Sequence, residues 1–142
     1  MLTCAESCTG GLVAGAITDI AGASAVFDRG FVTYTNAAKV QMLGVSPDTL
    51  AAHGAVSEAV AREMAAGALA RSDAQLAVSI TGIAGPGGSE HKPEGRVCFA
   101  VATAQSVTAE THDFGPLGRS HVRRASVERA LQLLIESISS AS

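Results

Sequence analysis

The stretch AESCTGG at residues 5–11 sets Ser7, Cys8 and Thr9 between an apolar run and two glycines. A strand that turns into a helix presents free backbone N–H groups and the positive end of a helix dipole. Both suit an anion or a developing oxyanion. Each of the three side chains is a candidate nucleophile at such a junction. The plainer alternative is that Thr9 caps the helix while Gly10 and Gly11 turn the chain.

Three further clusters could join it. TYTNAAK holds the only tyrosine, Tyr34, five residues before Lys39, one of two lysines. A lysine beside a serine can serve as its base if burial lowers its pKa; the alternative is a solvated surface charge. SITGIAGPGG (79–88) offers Thr81, Gly82 and later glycines to a ligand, or is simply a loop that needs glycine backbone. Arg119 and Arg123 stand four apart on one face of a helix, a spacing suited to gripping phosphate, or to a solvated face paired with Glu128. His53, His91, His112 and His121 have no ligand spacing and no C-x-x-C is present, so no metal site is expected. The absence of G-x-S-x-G argues against an α/β-hydrolase.

These clusters need elements to hold them. Residues 1–5 read as a strand and 9–20 as a helix, with Thr9 its N-cap and Gly22 its C-cap. Residues 24–35 read as a strand on their β-branched and aromatic content. Helices follow at 36–44, capped by Asn36, and at 46–54, with Pro47 in its first position. The stretch 57–72 keeps Val60, Met64, Ala68 and Leu69 on one face, and Ser57 can cap it. The run 74–85 reads as a strand covered on both faces. A Gly/Pro loop at 85–95 leads to strands at 96–105 and 107–115, joined too tightly for anything but a hairpin. A helix at 118–138 closes the chain. Helical crossovers early and a hairpin late predict a three-layer α/β/α sandwich on a mixed five-stranded sheet. Sites in such sheets assemble at the C-terminal strand ends, where Ser7 and Tyr34 would meet.

Composition bounds the rest. The chain has 142 residues, fitting one domain (1–142) with one core. Hydrophobic residues make up 47% and charged residues 16%, a globular balance, and a net charge of −3 argues against a general nucleic-acid binder. Three cysteines, an odd number without metal spacing, read as reduced thiols in a cytoplasmic protein. No signal peptide or membrane-spanning run is visible.

The motifs AESCTGG, GFVTYTNAAK, HGAVSE, SITGIAGPGG and GRSHVRR stand in the order and spacing of the CinA C-terminal domain, the nicotinamide-nucleotide amidase family. The chain resembles that family over residues 3–138. The resemblance implies hydrolysis of the carboxamide of nicotinamide mononucleotide to nicotinate mononucleotide and ammonia, without metal or cofactor. It implies a sheet in the order 2-1-3-4-5 with strand 4 antiparallel, similar to the anticodon-binding domains of class II tRNA synthetases. It further implies Ser7 as nucleophile, Lys39 as base and Tyr34 as its partner in the proton network. Thr9, Gly10 and Gly11 would line the oxyanion or phosphate region. Thr81 and Gly82 would face the substrate, and Arg119 and Arg123 the nucleotide phosphate. A homo-oligomer is expected, with no nucleic-acid or membrane partner. Family members usually carry a helix before the first strand, and this sequence opens at the strand. Two rival readings stay open: a Cys8-dependent amidase and a non-catalytic nucleotide-binding domain.

Overall fold

The structure, a computed structural model, describes residues 1–89 and 91–141; residue 90 of the predicted 85–95 loop lies outside the described residues. Strands β1 (Leu2–Glu6), β2 (Phe27–Val32), β3 (Leu76–Gly82), β4 (Arg96–Ala102) and β5 (Val107–Asp113) form one sheet in the order β2-β1-β3-β4-β5. β1 pairs parallel with both β2 and β3, whereas β3–β4 and β4–β5 are antiparallel. The predicted order and the reversed fourth strand are therefore both present. Helices α1 (Leu12–Thr18), α2 (Asn36–Leu43), α3 (Pro47–His53), α4 (Glu58–Ala70) and α5 (Arg119–Ala141) complete the chain. Among the described residues no helix is long and apolar enough to cross a membrane.

Side chains alternate across β4 and sort the core into two layers. Val97, Phe99 and Val101 join Val13 and Ile17 of α1 and Val122 and Leu134 of α5. Cys98, Ala100 and Ala102 face Ala61, Ala65 and Ala68 of α4. The residues named on β4 and α4 are small, a composition that permits close packing of helix on sheet. The same economy brings α2 onto α4. A Cβ at Gly67 would stand 2.0 Å from the Leu43 carbonyl oxygen, a contact that only glycine permits.

Several predicted boundaries move, each for a local reason. α1 begins at Leu12, not at residue 9, and its N-cap is Gly11 at φ 105°; Thr9 does not cap it. Gly22 does not cap the end of α1, which closes at Asp19; at φ 87° it opens a short 3-10 turn, Ala23–Ala25, where the sequence reads as strand. Thr35 rather than Asn36 caps α2, its side chain accepting from the Ala38 N–H. Ser57 caps α4 as its sequence predicts, accepting from the Val60 N–H.

Because β1, β2 and β3 run parallel, their C-terminal ends share one edge of the sheet. Ser7 N–H donates to the Ile80 carbonyl at 2.9 Å and Thr33 N–H to the Glu6 carbonyl at 2.8 Å. The chain segments leaving all three strands are thus pinned side by side, and the candidate residues leave from that edge.

Candidate active site

The turn after β1 is organised by Glu6, the last residue of that strand and fully buried. Its Oε1 accepts from the N–H groups of Gly11 (3.2 Å) and Val13 (2.9 Å), and its Oε2 from that of Ala14 (3.0 Å). The first amides of α1, which have no partner inside the helix, find one in this side chain. Gly10 N–H closes the turn on the Ser7 carbonyl at 3.0 Å. The positive end of α1 is thereby occupied from within the protein. Gly10 and Gly11 spend their amides on the turn itself, so these two do not supply the expected oxyanion or phosphate donors.

Ser7 leaves this turn toward α2. The Thr35 cap starts α2 at Asn36, and Lys39 follows one turn later with its side chain directed back to the strand ends. Lys39 is 1% exposed, although its sequence context alone favours a solvated charge. Its Nζ stands 3.1 Å from Ser7 Oγ and 2.9 Å from the Thr33 carbonyl oxygen. The carbonyl orients the amine, and the hydroxyl lies where the amine can reach its proton.

Ser7 and Lys39 open on a cavity of about 320 Å³. Tyr34, Asn36, Thr81, Gly82 and Arg119 line it, together with the glycine-rich loop from Gly85 to Ser89. Arg119 donates from Nη1 to the Gly85 carbonyl at 2.7 Å and from Nη2 to the Tyr34 hydroxyl at 2.7 Å, tying the loop to the far wall. Tyr34 is 57% exposed and its hydroxyl accepts from Arg119, so the tyrosine stands at the rim. Thr81 Oγ1 is committed to the Ala55 carbonyl at 2.8 Å. Gly82 has a packing reason to be glycine: a Cβ there would meet Val97 at 2.6 Å.

Thr9, Gly10, Gly11 and Arg123 do not line this cavity. Thr9 is fully buried and its Oγ1 has no hydrogen-bond partner among the described residues. Arg123 packs behind the turn, Nε donating to the Cys8 carbonyl at 3.0 Å and Nη2 to that of Thr9 at 3.4 Å. Its guanidinium is engaged with two backbone oxygens of the turn and Arg123 is off the cavity wall, so the expected phosphate contact from Arg123 is not the one this geometry offers.

Cys8 borders the cavity, but burial pushes its thiol up to about 12; its own backbone amide and the Arg123 charge oppose that rise without cancelling it. A thiol in that state stays protonated near neutral pH, and the thiolate is the nucleophile. The environment therefore weighs against Cys8 and for Ser7. Among the described residues no three His, Cys, Asp or Glu side chains stand together as a metal site.

Sequence reasoning missed Glu6, the Thr33 carbonyl and Asn36. For Glu6 a signal existed: an acidic residue at a strand end, just before a glycine turn and a helix without a polar cap, is placed to accept from that helix. The other two carry no signal in the sequence, because a carbonyl is present at every residue and Asn36 reads as a cap.

A three-layer α/β/α sandwich with an apposed serine and lysine at its parallel strand ends is the class of protein that fold and site define. The chain belongs to the CinA C-terminal domain family, which it matches over residues 1–138. It is 59% identical over 134 residues to the nicotinamide-nucleotide amidohydrolase PncC of Escherichia coli K12, covering 94% of this chain and 81% of that protein. A CinA-like protein of Mycolicibacterium gilvum is 52% identical over 136 residues, 95% of this chain but 32% of its own length. Among solved structures, the competence/damage-inducible protein CihA of Agrobacterium tumefaciens superposes with a TM-score of 0.93 at 55% identity, over 96% of this chain and 84% of that one. A CinA superfamily protein of Escherichia coli gives 0.90 at 40% identity, over 94% and 78%.

Proposed function

We propose that this chain hydrolyses the carboxamide of nicotinamide mononucleotide, releasing nicotinate mononucleotide and ammonia, with Ser7 as nucleophile and Lys39 as its base. The observation that carries the reading is the buried Lys39 Nζ 3.1 Å from Ser7 Oγ. The name of the E. coli relative supplies the substrate class.

An amide is a poor electrophile, so the reaction needs an activated nucleophile, a place for the oxyanion and a proton for the leaving nitrogen. Burial disfavours an ammonium. A neutral Lys39 amine keeps one N–H on the Thr33 carbonyl and turns its lone pair to the Ser7 hydroxyl. Ser7 Oγ attacks the carboxamide carbon as its proton passes to Lys39. The C–N bond breaks, the lysine proton goes to the departing nitrogen, and ammonia leaves. Water then attacks the acyl-serine, with Lys39 again taking the proton, and the carboxylate product is freed.

One backbone donor suits the oxyanion: the amide of Cys8, which follows the nucleophile and borders the cavity, whereas the amides of Ser7, Gly10 and Gly11 are spent and Thr9 lies off the cavity wall. The far end of the substrate falls to Arg119, whose guanidinium forms part of the cavity wall. Phosphate favours a planar, multi-donor cation.

The test is ammonia release from nicotinamide mononucleotide by the purified chain. Ser7→Ala should lose orders of magnitude in kcat, and Cys8→Ser should keep most of it. A dead Cys8→Ser beside an active Ser7→Ala would move the nucleophile to the thiol. No ammonia from the unaltered chain would leave a binding domain instead.

A further inference from the structure

We infer that Glu94 is a positioning residue for Arg119: it braces the glycine-rich loop whose Gly85 carbonyl holds the guanidinium at the cavity wall. The inference deepens the reading of Arg119 as the phosphate contact and rests on it. Glu94 does not itself line the cavity. It is half-buried against the loop that does.

That loop meets the cavity largely through backbone. Gly85, Gly87 and Gly88 are in its wall, with Gly85 at φ +94° and Gly87 at φ +81°. Glycine leaves a backbone freer than any other residue does, so a wall of this kind takes its shape from groups that hold it. Glu94 makes two such contacts. Its Oε1 accepts from the Gly87 N–H at 2.5 Å. Its side chain also lies directly against Gly85, where a Cβ would stand 2.7 Å from Glu94 Cδ and 2.8 Å from Cγ. The backbone beside Glu94 is anchored in turn, since Gly95 N–H donates to the Ile83 carbonyl at 2.8 Å.

Gly85 is equally the anchor of Arg119, whose Nη1 donates to its carbonyl at 2.7 Å. The other bond of the guanidinium goes from Nη2 to the Tyr34 hydroxyl, also at 2.7 Å. Among the described residues no ion pair joins Glu94 to Arg119; both act on the loop backbone. A guanidinium has five N–H donors, so two spent on fixed oxygens leave the rest for an anion. Without Glu94 the Gly87 amide loses its acceptor and Gly85 its packing partner. Arg119 then keeps one firm anchor, Tyr34, and the phosphate meets a less ordered cation, while the chemistry at Ser7 is untouched.

Kinetics of ammonia release by the full chain test this. Glu94→Ala should raise KM for nicotinamide mononucleotide by about 3- to 10-fold, the range of one lost hydrogen bond. It should leave kcat within about twofold, the pattern of lost ground-state binding. On nicotinamide riboside, which has no phosphate, kcat/KM should stay within about twofold. Glu94→Gln keeps an acceptor oxygen for Gly87 without the charge and should recover most of the loss. A double-mutant cycle is the sharper measurement: in an Arg119→Ala background, Glu94→Ala should change KM by less than about twofold. Additive losses would overturn the proposal, because Glu94 would then act on the substrate without Arg119. An unchanged KM in Glu94→Ala, or an equal loss on the riboside, would overturn it too. So would tighter binding in both Glu94→Ala and Glu94→Gln, which would make the carboxylate a charge that repels phosphate. If Glu94→Ala does not fold, Glu94→Asp keeps the charge but draws the carboxylate back by one carbon; a mononucleotide-specific rise in KM supports the proposal and no rise refutes it. Arg119→Ala separates the brace from the reading beneath it. Equal losses on both substrates in Arg119→Ala would sink the phosphate contact and the brace with it. A mononucleotide-specific loss there, beside an unchanged Glu94→Ala, would sink the brace alone.

Discussion

Lys39 and Lys92 are the two lysines of this chain, and their surroundings divide them. Lys92 sits in the 85–95 loop and fastens its ammonium to the His53 and Val56 carbonyls. Lys39 is buried to 1% exposure against the Ser7 hydroxyl. For a base the amine must be able to give up its proton, which sets lysine apart from arginine. Lys39→Arg should be inactive at every pH, because a guanidinium does not deprotonate in a protein; substantial activity in that variant would remove lysine from the role. Arg119 allows a second prediction at this scale. A charge-assisted hydrogen bond is worth roughly 1.5–3 kcal/mol. Arg119→Ala should then cost about one to two orders of magnitude in kcat/KM on nicotinamide mononucleotide, with a smaller loss on the riboside. The comparison of substrates is the measurement, and equal losses would make Arg119 a tie between Gly85 and Tyr34 only.

At the scale of elements, the junction from β1 to α1 depends on one side chain. Glu6 accepts from three backbone amides at the start of α1 while buried inside the sheet. Glu6→Ala would leave those donors buried and unmet, at about 2–4 kcal/mol of stability. Glu6→Gln keeps one acceptor oxygen and should cost less. Denaturant midpoints of the two variants read the difference, and an unchanged midpoint in Glu6→Ala would show that water replaces the carboxyl. The α2–α4 contact is the second weak point. Gly67→Ala would drive a methyl into the Leu43 carbonyl, 2.0 Å from the new Cβ, and overpacking of this kind costs about 1–3 kcal/mol. Since α2 carries Lys39, the same variant should lose activity beyond its loss of stability.

For the whole molecule, the buried thiols set an alkaline limit. Burial raises Cys4 and Cys8 above the ordinary thiol value, Cys4 with help from the neighbouring Glu6 charge. Unfolded thiols titrate near pH 8.5, to the precision of about half a unit. Below that value both states hold the proton and the thiols cost nothing. Above it the unfolded chain sheds protons that the folded chain retains, so stability falls as pH rises, by about 1.4 kcal/mol per pH unit for each thiol. For Cys8 the fall continues until its folded value of about 12. Cys8→Ala should therefore flatten the decline of unfolding free energy between roughly pH 9 and 11 by one thiol's slope. An identical decline in both proteins would show that Cys8 ionises freely in the folded state.

Sequence alone determined the order of the main elements, the parallel early strands and the antiparallel closing hairpin. Local patterning carries that information: helical spacing in 57–72, a doubly apolar run in 74–85, and a connection at 105–107 too short for a crossover. It also singled out Ser7, Tyr34, Lys39, Thr81 and Arg119, all of which the folded chain brings to one cavity. What tertiary structure alone decided was the direction each side chain faces and what it meets. Thr9 looked like a cap and Arg123 like a phosphate ligand, because capping preference and i, i+4 spacing are local signals. Glu6 reached the helix first, since the strand end delivers its carboxyl there, and Arg123 met the back of the turn from 115 positions away in the chain. Lys39 is the sharpest case. Nothing within its own helix distinguishes a solvated lysine from a buried one, and only the packing of α2 over the ends of β1 and β2 takes it out of water.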